Sequence, residues 1–235
     1  MADLSFQIAE NVARVRDRLA EAASRAGRAP EDVRLVAVSK YVGPEVIRAL
    51  VAAGCTTLGE SRPQHFCEKA TALTDLDIRW HMIGHLQRNK IRRTLPLVAM
   101  VESADSPRLV AAIDRIAGEL GLIMPILLEV NISGDDAKDG FSPDAVEPCF
   151  EELAQYRNVR VEGLMGMASF EGGLDAARRD FARLRELRDE LRQRCPNEIA
   201  MQELSMGMSR DFEAAIEEGA TIVRVGSALY EGVIR

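Results

Sequence analysis

Leu35-Val36-Ala37-Val38-Ser39-Lys40 is an apolar run of strand length that ends in an amine. Such a run, continuous rather than alternating, suits a strand buried on both faces. The pattern recurs. With Val33–Ser39, further runs at Thr57–Gly59, Arg79–Ile83, Leu97–Val101, Pro125–Asn131, Val159–Met165, Ala200–Leu204 and Thr221–Val225 make eight candidate strands. Helical segments lie between them: Pro44–Ala53, Pro63–Leu73, Leu86–Thr94, Ser106–Leu120, Pro143–Gln155, Leu174–Gln193 and Arg210–Glu218. The clearest helical stripe is Leu174, Ala177, Phe181, Leu184, Leu187 and Leu191, on a helix otherwise rich in Arg and Glu whose charges read as a solvated face. Strand–helix alternation of this kind predicts an α/β protein, a single (β/α)8 TIM-type barrel, with a doubly wound open sheet as the competitor. Ile8–Ala23 precedes the first strand and reads as an extra helix, expected over one end of the barrel. No low-complexity linker or composition break divides residues 1–235, so one domain is expected, with residues 1–30 as a helical extension.

Composition narrows the class. An apolar fraction of 47 % supports a substantial core, and a net charge of −7 lacks the basic footprint of a nucleic-acid binder. Cys55, Cys67, Cys149 and Cys195 are scattered, with no Cys-x-x-Cys pair and no His at zinc spacing, so reduced thiols and no metal site are expected. Glu10, Arg14, Arg16, Asp17 and Arg18 interrupt the first helical segment, which therefore does not read as a secretion signal. No apolar stretch approaches the roughly 20 residues of a membrane helix. A cytoplasmic protein is the expectation.

In a barrel of this type, reactive groups gather at the C-terminal ends of the strands. Lys40 stands at such an end. It is either an amine snorkelling to water or a nucleophile whose burial disfavours the ammonium form. Ser205-Met206-Gly207-Met208-Ser209 follows the seventh strand and Gly226-Ser227 the eighth. Small-residue turns at these two positions frequently hold a phosphate. An amine facing a phosphate cradle suits a phosphorylated aldehyde, and pyridoxal 5'-phosphate (PLP) is the common cofactor of that description. Arg224, two residues before Gly226, is placed to face the ring nitrogen of a bound pyridine. Arginine offers only donors, so it would keep that nitrogen unprotonated and the ring a weak electron sink. Ser209 reads equally well as the N-cap of the helix at 210–218. His81 reads equally well as a core histidine.

Together, Leu35–Lys40, Trp80-His81-Met82-Ile83-Gly84-His85-Leu86-Gln87-Arg88-Asn89-Lys90 and Leu204-Ser205-Met206-Gly207-Met208-Ser209-Arg210-Asp211 strongly resemble the YggS/PROSC family of PLP-binding proteins, also called PLP homeostasis proteins. The resemblance runs from Val33 to Gly232. It implies a barrel like the N-terminal domain of alanine racemase, with PLP carried as a Schiff base on Lys40. It implies Arg224 at the ring nitrogen and Gly226, Ser227 and Ser205 at the phosphate, with Gly207 and Ser209 in the same turn. Asn131, Ile132 and Lys138 match the family's Val-Asn-Ile…Lys-x-Gly segment; Asn131 and His81 complete the candidate cofactor-binding set. Two departures stand out. Gly59-Glu60-Ser61-Arg62 replaces the usual Gly-Glu-Asn-Arg, and Tyr230-Glu231-Gly232 replaces the usual Phe-Gly.

Alanine-racemase-type turnover needs a second base opposite the lysine. The tyrosines are Tyr41, Tyr156 and Tyr230, and Tyr41 is expected to alternate away from Lys40. Without an opposed base, racemisation forfeits roughly 10²–10⁴-fold of rate. The expected function is therefore PLP holding and delivery, with PLP-dependent apoenzymes as partners, no catalytic residue and a monomeric chain. A PLP-dependent amino-acid racemase is the alternative. An aldolase-type Schiff-base enzyme is a weaker third, for which no acid–base pair around Lys40 is evident.

Overall fold

The computed structural model describes residues 2–135, 139–169 and 171–233. Eight parallel strands close into a barrel in sequence order. They are β1 (Arg34–Val38), β2 (Thr57–Glu60), β3 (Arg79–Met82), β4 (Met100–Ala104), β5 (Met124–Val130), β6 (Val159–Gly166), β7 (Glu203–Ser205) and β8 (Ile222–Val225). The helices among the described residues are α1 (Ala2–Arg25), α2 (Pro44–Ala52), α3 (Pro63–Ala72), α4 (Ile91–Thr94), α5 (Pro107–Leu120), α6 (Pro143–Val146), α7 (Phe150–Leu153), α8 (Gly173–Arg194) and α9 (Phe212–Glu217). Pairing of β1 with β8, Ala37 opposite Val225, closes the ring and rules out the open sheet.

Helix α1 does not cap an end of the barrel. It packs along the outside against α2, α9 and the 3-10 turn Ser227–Tyr230. Among the described residues, strand β8 leads into that turn and no α-helix, and the N-terminal helix occupies the slot of an eighth outer helix. Its buried Ile8, Val12, Val15 and Leu19 form the expected apolar stripe. Asn11, fully buried among them, donates to the carbonyls of Leu229 (3.1 Å) and Glu231 (2.9 Å), tying the chain's beginning to its end.

Several boundaries move from their expected places. The fourth strand is Met100–Ala104 rather than Leu97–Val101, because Leu95–Leu97, with Pro96 inside, forms a 3-10 turn. The seventh is Glu203–Ser205 rather than Ala200–Leu204. The segment 143–155 breaks into α6, a 3-10 turn at Glu147–Cys149, and α7, since Pro148 has no N–H to continue the helix. The segment 86–94 is a short 3-10 turn, Arg88–Lys90, followed by α4.

Two cores result. The larger lies between strands and helices, including Phe66, Phe181 and Phe212. The smaller fills the barrel's interior with Val36, Met100, Leu127, Met165 and Ile222. All but Met165, which stands one residue from the end of β6, lead two residues on along their strands to the next inward position. Those positions are Val38 on β1, Glu102 on β4, Glu129 on β5 and Arg224 on β8. Among the described residues, no helix is long and apolar enough to cross a membrane.

Candidate functional site

Strand β1 ends at Val38, and Ser39-Lys40 forms the turn that follows. Gly59, Lys69 and Tyr230 hold this turn. The Ser39 N–H and hydroxyl both donate to the Gly59 carbonyl, at 2.8 and 3.2 Å. The Lys69 ammonium donates to the Ser39 carbonyl at 2.7 Å and to Glu60 Oε2 at 2.5 Å. The Tyr230 hydroxyl donates to the Val38 carbonyl at 2.8 Å. Glu60 is fully buried, and its other oxygen accepts the N–H groups of Ser61 and Arg62 at 2.8 and 3.2 Å. The backbone under Lys40 is thus fixed by a desolvated ion pair. Lys40 itself is half-buried, its Nζ 5.1 Å from the centre of the Tyr41 ring.

Lys40 lines a cavity of about 600 Å³ at the C-terminal end of the barrel. Arg224, Gly226, Ser227 and Tyr230 come to it from β8 and the turn beyond, and Met208, Ser209, Arg210 and Asp211 from the loop after β7. Ala168, Ser169, Gly173, Leu174 and Ala177 close the third side. A volume of this size and a mostly apolar wall with a few convergent polar groups are the ordinary features of a small-molecule site. The Ser209 hydroxyl accepts the N–H groups of Gly226 (3.0 Å) and Ala228 (3.4 Å). Its own O–H remains to donate to a ligand oxygen. Asp211 lines the cavity too; burial pushes its carboxyl upward against the N–H of Met208, which donates to Oδ1 at 2.6 Å.

Beneath the cavity lies a polar layer inside the barrel. Arg224 Nη1 donates to Ser205 Oγ at 2.5 Å, and Ser205 Oγ donates to Glu102 Oε2 at 2.6 Å. Glu102 Oε1 meets His81 Nδ1 at 2.5 Å, and Arg224 Nη2 donates to the Gly166 carbonyl at 3.0 Å. None of His81, Glu102, Ser205 and Arg224 is more than 4 % exposed. Burial alone would raise the Glu102 carboxyl, but His81, Arg224 and Ser205 outweigh it and hold the group below the ordinary carboxylate range. Burial lowers the Arg224 pKa, opposed by Glu102, Glu129 and Asp211. Glu129 is 6 % exposed, and burial raises its carboxyl to about 7; Arg224 and His85 pull it back, while Asp105 and Asp139 push it up.

Comparison with known proteins agrees with the architecture. The family described as alanine racemase, N-terminal domain, matches residues 8–233. A pyridoxal phosphate homeostasis protein of Aquifex aeolicus is 43 % identical over 221 residues, 94 % of this chain and 96 % of the relative. One from Pseudomonas aeruginosa is 39 % identical over 226 residues, 95 % of this chain and 94 % of the relative. The structure of PipY from Synechococcus elongatus PCC7942, with PLP bound, superposes with a TM-score of 0.85 at 37 % identity, covering 94 % of this chain and 99 % of PipY. The chain belongs to the pyridoxal phosphate homeostasis protein family.

In this family member, the cavity brings together Lys40, Ser209, Arg224, Gly226 and Ser227 of the residues singled out from sequence. Four others lie outside its lining. Ser205 and His81 sit one layer deeper, bonded within the barrel. Asn131 donates to the Asp135 carbonyl at 2.8 Å and accepts from Ser133 at 3.2 Å, within its own loop. Gly207 serves packing: a Cβ there would stand 2.5 Å from the Ala215 Cβ, and its φ is +89°. Lys138 lies outside the described residues. Ser209 does not cap α9; Asp211 is the N-cap residue, and Ser209 turns to the β8 loop instead. Tyr41 lines the cavity mouth, because strand alternation stops at Val38. Leu174 is 60 % exposed at the same mouth, not part of the buried stripe of α8. The Tyr230 hydroxyl, which the family's usual phenylalanine lacks, pins the end of β1. Glu102 and Lys69 were not singled out from sequence, and Glu60 was quoted only within Gly59-Glu60-Ser61-Arg62, without a role. A glutamate two residues after Met100 in a strand buried throughout was the available signal for Glu102.

Proposed function

We propose that this chain holds pyridoxal 5'-phosphate at the barrel mouth and serves PLP homeostasis rather than turnover. The observation that carries the reading is that Lys40, Arg224 and the Ser209–Gly226 group line one cavity. When bound, PLP supplies an aldehyde that condenses with the Lys40 amine. The donor set fits the rest of the molecule. The Ser209 and Ser227 hydroxyls gather donors for a phosphate at one end, where the Gly226 N–H is already given to Ser209 Oγ, and Arg224 presents a guanidinium to the pyridine nitrogen. The apolar wall of Ala168, Leu174 and Ala177 would face the ring.

The alternative of alanine-racemase-type turnover requires a proton acceptor across the ring from Lys40. Tyr230 is a poor one: its hydroxyl is committed to the Val38 carbonyl, and burial raises its pKa. Tyr41 neighbours Lys40, its ring centre 5.1 Å from the amine, whereas an opposed base would have to stand across the cavity. Holding without turnover favours PLP-dependent apoenzymes as recipients, with this chain acting as a monomer. Titration of the purified protein with PLP tests the reading. A visible absorbance band that Lys40→Ala abolishes is the expected result. A protein that takes up no PLP overturns the cofactor assignment, and rapid interconversion of L- and D-amino acids overturns the holding role.

A further inference from the structure

We infer that Ser205 is a spacer, whose hydroxyl stands between the Arg224 guanidinium and the Glu102 carboxylate and keeps the arginine in the cavity wall. The hydroxyl accepts from Arg224 Nη1 at 2.5 Å and donates to Glu102 Oε2 at 2.6 Å. The direct separation of Arg224 Nη1 from Glu102 Oε2 is 3.8 Å. A charge-assisted N–H···O contact closes to about 2.7–2.9 Å when nothing intervenes. Opposite charges this deeply buried attract strongly, so the arginine is held about 1 Å short of where the carboxylate would draw it. Glu102 cannot retreat, because His81 Nδ1 occupies its other oxygen at 2.5 Å. Arg224 is anchored sideways by the Gly166 carbonyl at 3.0 Å. A hydroxyl can accept and donate at once, which is what this position asks and what alanine cannot do.

The inference rests on the reading that Arg224 faces the PLP ring nitrogen, and it makes Ser205 a positioning residue rather than a phosphate ligand. In Ser205→Ala the guanidinium collapses onto Glu102 and leaves the ring nitrogen without its donor. Affinity for PLP falls by about tenfold or more, the loss of one charge-assisted hydrogen bond. Affinity for unphosphorylated pyridoxal falls by the same factor. The 15N resonance of labelled PLP shifts and becomes pH-dependent. In Ser205→Ala/Glu102→Gln the pull is gone, so the resonance and affinity move back toward the parent protein; Ser205→Thr retains both. Loss of PLP affinity with pyridoxal unaffected would mark Ser205 as a phosphate ligand and overturn the inference. So would an unchanged 15N resonance in Ser205→Ala, or additive losses in the double variant. A crystal structure of Ser205→Ala without cofactor reads the collapse directly, as a shortened Arg224–Glu102 distance. That result stands or falls even where the parent protein takes up no PLP, which would instead refute the proposed function.

Discussion

Glu129 makes the protein's stability depend on pH in a direction opposite to that of a paired carboxylate such as Glu102. The Glu129 carboxyl has a folded-state pKa of about 7 against an unfolded value of 4.5. Below pH 4.5 the group is protonated in both states and costs nothing. Between 4.5 and 7 the folded state binds more protons than the unfolded, so stability falls as pH rises, and above 7 the loss is complete. Two and a half pH units at about 1.4 kcal/mol each give about 3 kcal/mol. Glu129→Gln, neutral throughout, is therefore expected to exceed the parent protein by about 3 kcal/mol at pH 8 and by about 1 kcal/mol at pH 5. Any constant effect of the amide cancels in that difference. Urea unfolding of the cofactor-free proteins at pH 5, 6, 7 and 8 measures it, with unchanged m-values as the check that only the folded state has altered. Thermal unfolding at pH 8 should rise by roughly 6–12 °C. A stability difference that stays constant within about 0.5 kcal/mol from pH 5 to 8 refutes the reasoning, because it would mean that Glu129 is solvated in the folded state.

Other outcomes follow from the site's supports. Lys69→Met leaves Glu60 buried without its partner, and should cost about 3–5 kcal/mol in chemical unfolding; Lys69→Met/Glu60→Met should recover most of it. Gly207→Ala places a Cβ 2.5 Å from Ala215 and 2.9 Å from the Phe212 Cα at φ +89°. It should cost about 1–3 kcal/mol, read as a lower unfolding midpoint.

The barrel was legible because buried parallel strands have a composition of their own. The run Leu35–Ser39 contains almost nothing but branched and small apolar residues, Val159–Met165 adds only Arg160 and Glu162 to the same kind of pattern, and the spacing of the runs leaves room for one helix between each pair. The packing of α1 beside the turn after β8 was not legible. Nothing in Ser227–Tyr230 says that α1, two hundred residues earlier, packs beside it. Within the site, alternation told which side chains face inward but not how deep they lie. Arg224 and Ser205 share the inward parity of their strands, and Lys40 stands in the turn just past the end of β1. The register of β7 on β8, Ser205 opposite Ile222, sets Ser205 below the cavity. Tyr41 failed the opposite way, since alternation was applied past the point where the strand ends. Glu102 meets Ser205 across 103 positions of sequence, a pairing that only closure of the barrel creates.

Stability does not explain the layer that these residues form. The interior of such a barrel is ordinarily filled by branched apolar side chains in layers, as Val36, Leu127 and Ile222 do one step below. Replacing a buried ion pair by hydrophobic residues of similar volume is often neutral or stabilising by about 1–4 kcal/mol. A chain shaped for stability alone would continue the apolar filling through Glu102, Ser205 and Arg224. Hydrogen bonding of every member removes the worst of the penalty, since a half-satisfied network costs more than none, but it does not turn the layer into a gain. What the layer adds is a guanidinium fixed from behind and presented to the cavity that Lys40 enters from β1. Glu60 and Lys69 follow the same logic, placing a desolvated ion pair under the turn that presents the amine. Each set lies behind a cationic group of the cavity wall, Glu60 and Lys69 behind Lys40, Ser205 and Glu102 behind Arg224. The energy they withhold from folding is spent on aiming those two side chains.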